Sequence, residues 1–320
     1  MREVLVSIGC ITYNHEKYIA DALDSFLMQK TKFGFEILVH DDASTDDTSN
    51  IIKEYELKYP DLIKPIYQKE NQYSKGVKVS VINLKRAKGK YIALCEGDDY
   101  WTDPYKLQKQ VEYMESHPEC SMCTHAAYLV SETKDIIGEI RPSKFDGILT
   151  TEDIISQGGG FLATNSIMYR SEYINEFPKF YYNAPVGDYP LAIFLSLKGP
   201  VYYIDQYMSA YRRGVEGSWT WRYELNTDLD KLSEFTYRMI KMFDDIDSYT
   251  NFKYHELVEK RKIDFEFNLL NAQNNFDKMK TPRFYEKYKS LPPVSRFKII
   301  LRQYVPWFVQ IIKKLREKKG

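Results

Sequence analysis

No run of this chain approaches the ~20 consecutive apolar residues that a membrane-spanning helix requires, so no such helix is expected. Met1-Arg2-Glu3 leads straight into a strand-like segment, so no secretory leader is expected and the chain is expected in the cytoplasm. Only four cysteines occur. Cys10 and Cys95 lie in apolar runs, where a thiol behaves as a small hydrophobe, and Cys120-Ser-Met-Cys123 is a lone CxxC without a second pair. That argues against a cysteine zinc framework or a redox centre. Charge of one sign is also missing: 45 basic residues face 45 acidic ones, leaving no overall field for a nucleic-acid partner. Neither GxGxxG after the first strand nor GxxxxGK[ST] is present, so no glycine loop cradles a phosphate.

The composition present is globular, 43% hydrophobic and 28% charged, with 27 tyrosines. Tyrosine offers apolar area with a polar tip, which suits a sugar groove as well as a core. Val4–Ile11 reads as a strand buried on both faces. A helix follows with Tyr18, Ala22 and Phe26 on one face, beside Ile19, Leu23 and Leu27. Residues 36–42 form a second strand, after which Ser44 and Thr45 are expected to cap a helix. Residues 63–68 give a third strand, 77–87 a helix and 91–95 a fourth strand. Thr102 or Asp103 is expected to cap the next helix, with Pro104 at its first position. Strand–helix alternation of this kind predicts a Rossmann-like α/β domain, a mostly parallel sheet flanked by helices, with ligands beyond the carboxyl ends of the strands. Thr12–Asn14, Asp41–Asp42 and Glu96–Asp99 all fall at such ends. Later strands are read at 120–130, 165–169, 201–204 and 208–212, with a helix over 190–198. From about 222 onward the pattern is helical. The domains are set at 1–220 and 221–320.

Glu96, Asp98 and Asp99 place three acids within four residues. They repel one another unless a cation neutralises them, and hard carboxylate oxygens suit Mn2+ or Mg2+. Without a glycine loop, such a cation is the alternative means of holding a phosphate group. A solvated loop with a helix-capping Asp is the plain alternative.

The chain resembles the inverting family 2 glycosyltransferases of the GT-A fold, of the kind that builds bacterial surface polysaccharides. The resemblance rests on Ile11-Thr12-Tyr13-Asn14 with Glu16, on residues 36–46 including Asp41-Asp42 and Ser44-Thr45-Asp46, and on residues 89–99 ending in Glu96-Gly97-Asp98-Asp99. It covers about residues 3–220, followed by a C-terminal helical extension. It implies transfer from a nucleoside-diphosphate sugar with inversion. It also implies that Thr12, Tyr13, Asn14, Glu16 and Asp42 face the nucleoside, that Asp98 lies near ribose or metal, and that Asp99 ligates metal. Two features depart from the family pattern. Glu96 stands where relatives carry Asp, and Asn71, Gly76 and Asn83 only echo the segment between the second and third motifs.

An inverting transfer needs a general base for the acceptor hydroxyl. Asp188, in Val186-Gly187-Asp188-Tyr189-Pro190 at the opening of an apolar helix, fits best; its alternative is an N-cap. Asp205 and Asp153 fit less well. Arg212 could grip phosphate, and Trp219, on a Gly-flanked loop, could close over a ligand. Gly160, within Gly158–Phe161, could let backbone approach the acceptor. His125 could face the cleft, though a buried satisfied histidine is the commoner case.

Residues 296–320 carry eight basic residues and one acid, Glu317. Val305, Phe308, Val309, Ile312 and Leu315 share one helical face. Such an end can lie on an anionic membrane surface as a peripheral contact on the inner face of the plasma membrane, or pack on its own domain. The expected function is a metal-assisted hexosyltransferase taking a UDP-sugar donor to a saccharide or lipid-linked acceptor. The competing classes are a nucleotidyltransferase, which would carry a basic glycine loop after strand 1, and a noncatalytic carbohydrate-binding protein on the same fold.

Overall fold

The computed structural model describes residues 3–215 and 228–304. Two compact units result: residues up to 182 together with 186–215, and residues 183–185 together with 228–304.

The first unit follows the expected alternation. Strand β1 (Val4–Thr12) is paired in parallel on one side with β2 (Gly34–Asp41) and on the other with β4 (Tyr91–Leu94); β3 (Ile63–Tyr67) continues beside β2. Helices α1 (Ile19–Leu27), α2 (Thr48–Lys58), α3 (Val79–Leu84) and α4 (Lys106–Ser116) connect and cover them. Ile19, Ala22, Leu23 and Phe26 of α1 are fully buried against Val6, Ile8 and Cys10 of β1 and Trp101. Burying each large apolar side chain contributes roughly 1.5–3 kcal/mol.

Beyond β4 the sheet is mixed. β5 (Tyr100–Trp101), β6 (Met122–Val130), β7 (Ile136–Ile140), β8 (Gly147–Leu149), β9 (Met168–Arg170) and β10 (Val201–Arg212) complete ten strands, in the order β3-β2-β1-β4-β9-β6-β10-β5 with β7 beside β6 and β8 beside β10. β6 and β10 are parallel to each other and their other pairings antiparallel. β9 runs antiparallel to both β4 and β6, and β5 antiparallel to β10. The two runs at 201–204 and 208–212 are one strand, interrupted where its register against β6 shifts between Ile204 and Ser209. A bulge of this kind breaks the two-residue period without ending the strand. Helices α5 (Thr151–Gln157), α6 (Lys179–Asn183) and α7 (Asp188–Lys198) complete the connections.

Two caps differ from expectation. Helix α2 starts at Thr48, because Ser44 is already bonded to Asp41 and Thr45 to Asn14. Helix α4 starts at Lys106; Asp103 caps a turn before it by accepting the Tyr105 N–H at 2.7 Å, and Pro104 lies in that turn. The CxxC thiols are both free and buried. His125 lies in the core with Nδ1 on the Ala126 carbonyl, and burial holds its imidazole well below the usual pKa.

Lys106 is fully buried, with Nζ 2.7 Å from Gln110 Oε1 and 4.1 Å from the centre of the Trp101 ring. Burial pushes its pKa down to about 7. The unfolded chain holds that proton up to about pH 10.4, so it binds more protons than the folded chain between these values. Stability therefore rises from pH 7 towards pH 10, and the penalty is complete below pH 7. Lys106→Met is expected to flatten this rise in urea unfolding and to stabilise the protein below pH 7 relative to its effect at pH 10. An unchanged slope would show that the ammonium on Trp101 carries no net penalty.

The second unit is helical: Leu229–Tyr249, His255–Ala272, Phe276–Met279, Pro282–Ser290 and Pro293–Tyr304. Asp228 caps the first by accepting the N–H groups of Asp230 and Lys231. Phe267, Leu270, Phe276, Met279, Phe284 and Ile299 form its core. The helix Pro293–Tyr304 thus packs on its own unit through Ile299, while the rest of the basic end lies outside the described residues. No described helix is long and apolar enough to cross a membrane.

Candidate active site

The carboxyl end of β1 is the hub. Its Ile11 carbonyl accepts the Gly97 N–H at 2.9 Å, and its Thr12 carbonyl accepts the Asp42 N–H at 3.0 Å. These two bonds bring all three sequence-predicted clusters to one rim. Gly97 is required there: a Cβ would stand 2.7 Å from Thr12 Oγ1 and 3.0 Å from His15 Nδ1. Those two atoms are buried without a hydrogen-bond partner among the described residues.

The three acids have separate surroundings. Asp99 is 1% exposed and spends both oxygens: Oδ1 accepts the Arg212 N–H at 2.8 Å and Oδ2 accepts Asn165 Nδ2 at 3.0 Å. Asp98 makes no side-chain hydrogen bond among the described residues; its Oδ2 is 4.0 Å from His15 Nε2. Glu96 is pushed up to about 8, by burial first and then by the charges of Asp98 and Asp188. The three residues can each present an oxygen within 4.8 Å of the others. A carboxylate raised by burial and like charges is what a cation would relieve, so this donor set fits a hard divalent ion.

Asp188 opens α7 behind Gly187, and its charge is felt at Glu96. Burial raises its pKa, against the lowering influence of the Tyr189 and Asp188 backbone N–H groups, Lys78 and Thr164. Lys78 Nζ also donates to the Val186 carbonyl at 2.8 Å. Asp188 and Tyr189 share a small cleft with Gly158, Gly159, Gly160 and Phe161. Gly160 has φ +88° with open space where a Cβ would lie, so conformation rather than crowding favours glycine there. The other two candidate bases are occupied: Arg141 grips Asp205 with two bonds of 2.8 and 2.7 Å, and Asp153 completes the capping box of α5 with Thr150.

The residues expected at the nucleoside lie on the same rim, several tied to protein. Asn14 Oδ1 accepts the Thr45 N–H at 2.8 Å and Glu16 Oε2 the Asp47 N–H at 2.9 Å, which lace the β1 loop to the β2 loop. Asp42 accepts the Gln72 and Tyr73 N–H groups at 2.8 and 2.9 Å and so holds the loop containing Asn71 and Gly76. Thr12 and Tyr13 stand at the hub itself, where Tyr13 is half-buried. Arg212 is not turned to an open phosphate position. Its guanidinium is buried, donates to the Asp98 carbonyl at 2.6 Å, pairs with Asp21, and lies between the rings of Tyr18 and Tyr100 at 4.8 and 4.9 Å. Arg212 thereby braces the acidic loop from behind. Trp219 lies outside the described residues.

Asn165 was not foreseen. It donates to Asp99 and to the Ala210 carbonyl, accepts from Ser209 Oγ at 2.7 Å, and its own carbonyl accepts Trp101 Nε1. Residues 165–169 read as a strand, but Thr164–Ser166 form a 3-10 turn and the strand begins only at Met168. Only contact with distant residues reveals its part.

Residues 7–177, more than half of the chain, match the family model described as Glycosyl transferase family 2. An uncharacterised protein of Mycobacterium tuberculosis is 38% identical over 219 residues, 67% of this chain and 60% of that one. The chain therefore matches under two thirds of that relative's length. A UDP-Glc:alpha-D-GlcNAc-diphosphoundecaprenol beta-1,3-glucosyltransferase of Escherichia coli is 39% identical over 113 residues, 35% of this chain and 42% of that one. Among solved structures, TarS of S. aureus in complex with UDP-GlcNAc superposes with a TM-score of 0.57 at 19% identity, covering 92% of this chain and 78% of that one. A mannosyltransferase of Pyrobaculum calidifontis in complex with GDP-Man and Mn2+ gives 0.57 at 13% identity, covering 97% and 83%. These likenesses show the GT-A fold. With the strand-end motifs gathered on one rim and the family model spanning them, the chain belongs to glycosyltransferase family 2.

Proposed function

We propose that this protein transfers a sugar, with inversion, from a nucleoside-diphosphate sugar to a hydroxyl of a saccharide or lipid-linked acceptor in surface-polysaccharide synthesis. The observation that carries this reading is the cluster of Glu96, Asp98 and Asp99 at the end of β4, each able to present an oxygen within 4.8 Å of the others, with no side-chain hydrogen bond to Asp98 among the described residues and the charge of Asp188 felt at Glu96. Asp98 and Glu96 would hold Mn2+ or Mg2+; Asp99, with both oxygens already bonded, would join them only by sharing one. The cation would supply Lewis-acid stabilisation of the departing diphosphate. Asp188 takes the proton of the acceptor hydroxyl as that oxygen attacks the anomeric carbon, and the bond to the diphosphate oxygen breaks on the opposite face. Burial makes Asp188 a better base than an ordinary aspartate.

A UDP-sugar is the proposed donor. The named relatives support the class: one takes UDP-Glc, and one neighbouring structure holds UDP-GlcNAc, although another holds GDP-Man. A peripheral membrane contact through 296–320 belongs to the same reading. In its described part, Phe297, Ile300 and Tyr304 are exposed beside Arg296, Lys298 and Arg302. The test is a panel of UDP-, GDP- and dTDP-sugars with Mn2+, followed by mass analysis for released nucleoside diphosphate and glycosylated acceptor. UDP release with one or a few donors is expected. Release of sugar 1-phosphate instead would point to nucleotidyl transfer, and no turnover with any donor or acceptor to a noncatalytic binder.

A further inference from the structure

The second unit contains a group of side chains that the transfer reaction does not use. Asp247, in the last turn of the helix Leu229–Tyr249, meets His255 and Glu259 of the next helix. His255 and Glu259 are four residues apart, so they share one helical face. The three can each present a ligand atom within 4.8 Å of the others.

Asp247 points beyond an ordinary ion pair. It is 4% exposed, and its Oδ1 is buried with no hydrogen-bond partner among the described residues. Its Oδ2 is 2.7 Å from His255 Nδ1. The carboxylate thus faces the group with spare coordinating capacity, and a buried unsatisfied carboxylate oxygen is costly unless something binds it. Glu259 is held by Lys262 at 2.6 Å and Arg283 at 3.5 Å. Each of those cations has a second carboxylate: Lys262 pairs with Asp244 at 2.6 Å and Arg283 with Glu266 at 2.8 Å. Glu259 can therefore turn to a cation without stranding either one. The His255 side chain is 54% exposed, which leaves the group open to solvent on one side.

We propose that Asp247, His255 and Glu259 form a divalent transition-metal site, of Zn2+ type, that ties the two longest described helices of the second unit together. One imidazole nitrogen with two carboxylate oxygens and a solvent-facing position suits Zn2+. Ca2+ and Mg2+ would call for more oxygens. In the metal-free chain a proton on His255 does the same task, bridging the imidazole to Asp247. Because the site exists only when both helices are folded and adjacent, binding stabilises the folded unit.

The test uses the full chain carrying Asp98→Asn, so that the catalytic rim contributes less to the signal. Zn2+ is titrated by calorimetry in chelator-free buffer, and melting is followed with and without Zn2+. One Zn2+ per chain and a melting point raised by roughly 5 °C are expected. Adding His255→Gln should abolish both effects with the far-ultraviolet dichroism unchanged, and Asp247→Asn should weaken binding at least about tenfold. Co2+ offered instead should give a visible absorption band that His255→Gln removes, a readout independent of folding energetics. No binding by the Asp98→Asn chain, or binding that survives His255→Gln, would overturn the proposal.

Discussion

Asp98→Asn is expected to lower kcat by roughly a thousandfold or more while leaving the melting point nearly unchanged. Both halves follow from its surroundings. The Asp98 side chain makes no hydrogen bond among the described residues, so the fold loses little when its charge is removed. Removing one charged group that stabilises a developing anion typically costs a factor of 10² to 10³, and on the proposed reading the loss of a cation ligand adds to it. Asp99→Asn should behave differently. Its carboxylate ties the acidic loop to β10 through Arg212 and to Asn165, so that variant should lose stability as well as activity. Comparing kcat with the melting temperature for the pair separates a ligand from a brace. If Asp98→Asn kept more than a tenth of wild-type kcat, the open carboxylate would not be the group that carries the cation.

Asp188→Asn has the second large expected effect, a loss of roughly 10² to 10⁴ in kcat, the range of general-base catalysis. The variant preserves size and can still accept one of the backbone N–H bonds, so α7 should start where it does now. If Asp188 only capped that helix, Asn would serve nearly as well, since the two are comparable caps. The pH profile sharpens the distinction. Burial raises the Asp188 pKa above the usual aspartate range, so on the proposed reading the deprotonated base is present above that raised value and is lost as pH falls through it. Wild-type kcat/KM should therefore show an acidic limb displaced upward from an ordinary aspartate. In Asp188→Asn the residual rate should lose that limb. An intact limb in the variant would assign it to another group.

Strand ends carried most of the site in the sequence. Thr12, Asp42 and Asp98 each follow a β-branched or apolar run, and parallel strands paired in register must bring such ends together. That reasoning needs only local pattern. The bracing was not legible, because Asn165 and Arg212 reach the acidic loop from 66 and 114 residues along the chain, and Ser209 holds Asn165 from 44 residues away. Arg212 shows the difficulty: an Arg at a strand end reads as a phosphate grip, yet two tyrosine rings and Asp21 enclose it. The antiparallel half of the sheet was less visible for a different reason. β7 and β8 are edge strands with Ile136, Ile137 and Ile148 exposed, so burial does not impose the alternation that marks a half-buried strand. α5 is short, and its capping box at Thr150 and Asp153 is the one local signal that could have found it.

On the proposed reading Glu96 and Asp98 bind a nucleoside diphosphate through a divalent cation. Calorimetric titration of the purified chain with UDP, GDP and dTDP sugars, with Mn2+ and then with excess chelator, tests it most directly. Saturable binding of at least one donor with Mn2+ is expected, weakened at least about tenfold by the chelator and by Asp98→Asn. Binding of none of these donors, or binding indifferent to both the metal and Asp98, would contradict it.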